Sequence, residues 1–131
     1  MAPDIRRIVA VDAHRRRTGH CPLRIYSLGT GETFEISPRP DGFTDLESGR
    51  PIRSEPTRIV VPGSRAIAIS LDGDIGFSGI DPASGAAFSG RAGGGTSVTI
   101  YEADDFFQYA IVTSAQPLGT QDEPPANLQR T

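Results

Sequence analysis

A chain made of short β-type runs broken by turns has few ways to bury its strands. This one carries five clear runs, at 7–11, 23–28, 58–61, 66–71 and 109–112. Glycine and proline, 15 and 11 of the 131 residues, punctuate the segments between them. The pattern predicts one all-β domain, a single antiparallel β-sandwich or flattened β-barrel of about seven to eight strands. The length admits one hydrophobic core and no second domain of ordinary size. The expected domain covers 1–113, and the polar, proline-bearing stretch 114–131 reads as a disordered C-terminal tail.

Local patterning supplies the detail. Residues 4–13 are apolar on both alternating faces and read as an interior strand, with Asp12 to Cys21 forming the connection that follows. Runs 23–28 and 33–37 form a hairpin across a four-residue loop, with Arg24 and Glu35 neighbours on its wet face. The proline-rich stretch 38–56 lacks a sustained period and reads as a long connection pinned by Phe43, Leu46 and Ile52. Segment 57–80 reads as a three-stranded meander, and 90–97 as a flexible glycine-rich loop. A final hairpin joins 96–102 to 106–112 through a three-residue turn. In that register Tyr101, Phe107 and Tyr109 share one face, opposite Val98, Ile100, Phe106 and Val112.

Several chemistries are excluded by residue type. All 13 basic residues are arginine, which removes Schiff-base lysines and the phosphate-loop lysine. Arginine without lysine fits the codon bias of a GC-rich bacterial genome. Net charge is -3, which argues against a sequence-independent grip on nucleic acid. No apolar run is long enough to span a bilayer as a helix, and residues 1–30 lack a signal-peptide pattern, so a cytoplasmic location is expected.

Four groupings remain as candidate sites. Asp12, His14, His20 and Cys21 place both histidines and the only cysteine in one stretch, a donor set suited to zinc or a similar metal, though the spacing matches no standard zinc signature. The same stretch offers a cysteine with a histidine base, but Cys21 precedes Pro22 at a strand start and lacks a helix N-terminus to stabilise a thiolate. Arg15, Arg16 and Arg17 form the one basic run and could fork onto an anion. Carboxylates at Asp72 and Asp74, and at Glu102, Asp104 and Asp105, suit turns or weak calcium binding. Tyr101, Phe107 and Tyr109 form the fourth grouping, an aromatic face for a partner.

No nucleophile elbow, nucleotide loop or cofactor motif accompanies the strands, so no cofactor is specified and the chain reads away from an enzyme. The expected function is a small binding or assembly module, a homo-oligomer or the holder of a protein partner, acting through a sheet edge or the aromatic sheet face. The alternatives are a small-ligand or metal-binding barrel using the 12–21 connection, and a small hydrolase or isomerase.

Overall fold

The computed structural model describes residues 1–92 and 95–113. The stretch read as a tail, 114–131, lies outside the described residues, as do Gly93 and Gly94. One helix, α1 (Pro3–Thr18), precedes ten strands: β1 (Pro22–Ser27), β2 (Thr33–Arg39), β3 (Gly42–Asp45), β4 (Arg50–Glu55), β5 (Arg58–Val60), β6 (Ile67–Asp72), β7 (Gly76–Asp81), β8 (Ala86–Ala92), β9 (Ser97–Glu102) and β10 (Asp105–Thr113). Each strand pairs antiparallel with the next, and β1 pairs with β10 to close the barrel. The all-β class stands. The seven- or eight-stranded sandwich is replaced by a closed ten-stranded barrel around a helix.

The helix corrects the interior strand expected at 4–13. Pro3 occupies the first turn, where its missing N–H costs nothing, and Asp4 in that turn complements the positive end of the helix dipole. Arg15, Arg16 and Arg17 occupy the last turn, and Gly19 caps it at φ 72°, its N–H donating to the Arg15 carbonyl at 3.0 Å. Between these ends every residue from Arg7 to Arg15 is buried. A helix enclosed on all sides has no polar stripe, which is why its 3.6-residue period is silent in the sequence.

The β-branched run from Ile8 to Val11 has modest helix propensity, so packing rather than propensity holds it helical. Ile8, Val9 and Val11 are fully buried in the same core as Ile25 of β1, Phe43 of β3, Ile52 of β4, Ile67 of β6 and Ile100 of β9. Side chains from all around the wall therefore enclose the helix.

The stretch 38–56, read as a connection, is β3 and β4, whose Phe43 and Ile52 pair across the strands and are both buried. The glycine-rich reading of 90–97 also needs correction, because Gly90 is within β8 and faces inward. It pairs with Phe77, and Gly79 pairs with Phe88. A Cβ on Gly90 would lie 2.3 Å from the Phe77 ring, and one on Gly79 would lie 2.5 Å from the Phe88 ring. Two absent side chains thus make room for two rings whose centroids stand 6.3 Å apart.

The first hairpin agrees with expectation: Arg24 and Glu35 are in register, with Nε and Oε2 2.7 Å apart. A bulge between Pro22 and Arg24 turns Leu23 outward. The 57–80 meander also forms, but with Ile59, Ile67, Ile69 and Phe77 inward together. Among the described residues no helix is long and apolar enough to cross a membrane. The barrel's outer face carries exposed Arg24, Glu35, Arg53 and Arg58 with Ser70, Ser89 and Gln108, unlike the apolar band of a lipid-facing barrel.

Candidate functional site

The 12–21 stretch is divided between α1 and the entry to β1, and this separates its donors. Asp12 and His14 are two positions apart on a helix, hence about 200° apart around its axis, and face different parts of the wall. Asp12 is fully buried and paired to the Arg16 guanidinium through Oδ2, while Oδ1 has no hydrogen-bond partner among the described residues. Burial raises its pKa, and Arg16 opposes that rise. Cys21 is buried with Sγ 3.4 Å from the Pro22 carbonyl, and burial raises the thiol pKa, which keeps it from acting as a thiolate at neutral pH. His20 is half-buried after the helix end. Among the described residues no group of three or more His, Cys, Asp or Glu side chains is arranged to hold a metal ion.

His14 Nε2 stands 3.2 Å from the Gly95 carbonyl, to which it donates, leaving Nδ1 buried without a partner among the described residues. Burial lowers the imidazole pKa, the Gly95 bond opposes this, and nearby His20 lowers it further. The unfolded chain, with an ordinary value of about 6.5, then binds a proton that the folded chain refuses. Stability therefore falls as pH drops below that value, by up to about 1 kcal/mol between pH 6.5 and 5.5. Urea midpoints across that range should show the slope, and His14→Gln, which keeps an N–H for Gly95, should flatten it.

The three consecutive arginines aim donors at backbone carbonyls of the barrel, while Arg15 Nε and Arg17 Nε are buried without a hydrogen-bond partner among the described residues. Stepping about 100° per residue, they reach three different hairpin turns. Arg15 reaches the Pro40 carbonyl at 3.4 Å, Arg16 those of Pro56 and Arg58 at 3.1 and 2.9 Å, and Arg17 that of Gly73 at 2.9 Å. This run latches the helix to one rim of the barrel. At the other end Arg6 binds Glu102, and Arg7 makes a two-pronged bond to Asp45 at 2.9 and 2.7 Å.

The aromatic grouping is rearranged by the turn. Glu102 pairs with Asp105, so the turn is the two residues Ala103 and Asp104, with Ala103 at φ 54°. One residue fewer in the turn exchanges the faces of β10. Tyr109, 5% exposed, points into the barrel and Phe107 packs against the core beneath Arg6. Phe106, 61% exposed, joins Tyr101, 42% exposed, across the outer face. Tyr26 and Leu23 of β1, Leu28 just beyond it and Val112 of β10 are exposed beside them. Among the described residues, six of the nine large apolar side chains left exposed thus fall on β9, β10, β1 and the β1 exit. The expected partner face of Tyr101, Phe107 and Tyr109 is therefore corrected: Phe107 and Tyr109 face inward, and Phe106 and Val112, expected opposite Tyr101, share its outer face.

This face also carries unspent charge. Arg91 of β8 aligns with Thr99 and Gln108 across β9 and β10 on this face, while Asp104 is in the hairpin turn and Asp105, in register with Glu102, is on the hairpin's other side. Neither Arg91, Asp104 nor Asp105 forms an ion pair among the described residues. No family model, curated protein or solved structure matches this chain.

Proposed function

We propose that the chain is a self-associating barrel module whose contact is the outer face of β8, β9, β10 and β1. The observation that carries this reading is the concentration of exposed Tyr101, Phe106, Tyr26, Leu28, Leu23 and Val112 on adjoining elements of one wall. Closure pairs every strand, which removes the sheet-edge route and leaves the sheet face.

The occupant in this reading is a second copy, because the exposed rings and aliphatic side chains of one wall can then cover their own counterparts. A two-fold axis lying in the interface and passing over β9 near Tyr101 sets that ring against its own copy, with Phe106 beside it.

Sedimentation equilibrium tests the reading. The unaltered chain should form dimers, and Tyr101→Ser, at the centre of the contact, should weaken association by about thirtyfold. Phe106→Ser, which removes the most exposed ring of the face, should weaken it similarly. Both positions are exposed, so circular dichroism should be unchanged. A monomer at every concentration, or association indifferent to both substitutions, would overturn the reading.

A further inference from the structure

The barrel mouth at the start of α1 holds a cavity of about 160 Å³, the liquid volume of roughly five waters. Its lining combines two arginines, one carboxylate and three aromatic rings: Arg6, Arg7, Glu32, Phe34, Phe107 and Tyr109. The Arg7 guanidinium lies 4.2 Å from the centre of the Phe34 ring and that of Arg6 lies 3.7 Å from Phe107. Arg7 is 5% exposed, and Asp45 takes its Nε and Nη2, so its Nη1 faces no acceptor among the described residues. Arg6 spends Nε and Nη2 on Glu102 and the Met1 carbonyl, and the Tyr109 hydroxyl of the same lining is a further partner of its guanidinium. A buried, preorganised guanidinium edge is a carboxylate receptor.

Glu32 decides between a simple anion and a zwitterion. Its carboxylate forms no ion pair among the described residues and lines the same cavity. Asp45 offsets Arg7, and Glu102 is shared by Arg6 and the Met1 ammonium, so with Glu32 these three cations and three carboxylates balance and a bare anion would leave the mouth with an excess negative charge. A ligand with a carboxylate at one end and an ammonium at the other satisfies both sides. We infer that this mouth binds a small α-amino acid, its carboxylate on the free Nη1 of Arg7 beside the Arg6 guanidinium, its ammonium on Glu32, and a short apolar side chain against Phe34 and Phe107. The volume restricts that side chain to the size of alanine or its near neighbours. The site is independent of the outer face, and its test does not depend on the oligomeric state.

Amide-shift titrations of the full chain with L-alanine, propionate and propylamine distinguish the parts. L-Alanine should saturate at millimolar concentration, with shifts centred on residues 30–34 and 107, and propionate and propylamine should each bind about tenfold more weakly or worse. Glu32→Gln, an exposed position, should weaken L-alanine about tenfold while leaving propionate unchanged or improved. Absence of saturation by L-alanine overturns the inference. So does propionate binding as tightly as L-alanine, or an L-alanine affinity indifferent to Glu32→Gln.

Discussion

Arg7→Ala should lower unfolding free energy by about 3–5 kcal/mol, the cost of removing one partner from a buried ion pair. Asp45 is fully buried, and after the substitution it would keep only Ser48, whose hydroxyl donates to Oδ2 at 2.6 Å and whose amide donates at 3.3 Å. The loss also vacates the space beside Phe34. Against a typical total of about 5–15 kcal/mol this is a third or more of the stability, so the urea midpoint should collapse. Replacing both partners, Arg7→Met with Asp45→Leu, should recover most of it, because no unpaired charge is then left in the interior. Arg7 and the Ser48 donors hold the Asp45 carboxyl below its ordinary value despite burial. A carboxyl with a lowered folded pKa contributes stability above the unfolded value, about 3.9, and loses it as pH falls towards the folded one. The double variant should therefore also be less sensitive to acid in that range.

The parts of the fold legible in the sequence were those where a local pattern met a local contact. The β1–β2 hairpin is one, because alternation and turn length fix its register and place Arg24 beside Glu35. The helix was legible at its ends, in Pro3, Asp4, Arg15 to Arg17 and Gly19, but not in its middle, where Ile8 to Val11 read as a strand buried on two faces. Enclosure by a barrel is a long-range fact that no window of residues contains. Strands β3 and β4 were hidden by Pro38, Pro40 and Pro51, two of which lie within strands, at the pairs Pro38 with Phe43 and Pro51 with Thr44.

For the candidate sites, one turn residue made the difference. With a two-residue turn at Ala103 and Asp104, Phe106 goes out and Phe107 and Tyr109 go in. Adjacency in sequence misled at 12–21 for a related reason: a helix disperses neighbours around its axis, as it does Asp12 and His14, and fans Arg15, Arg16 and Arg17 onto three turns. The glycine-rich 90–97 stretch owed its composition partly to Phe77, which occupies the space a side chain on Gly90 would fill.

Because α1 fills the barrel, the outer wall and the mouth are the surfaces left to bind a partner or ligand. Amide hydrogen exchange tests that placement most directly. The amides of residues 9–15 hydrogen-bond within a helix surrounded by wall side chains, so exposing them requires the barrel to open. Their exchange should be slowed at least about 10³- to 10⁴-fold, matching global stability and the protection of β7 and β8. If those amides instead exchanged far faster than the strand amides, as in a helix that frays or docks on the surface, the enclosed helix and the functional readings built on it would be contradicted.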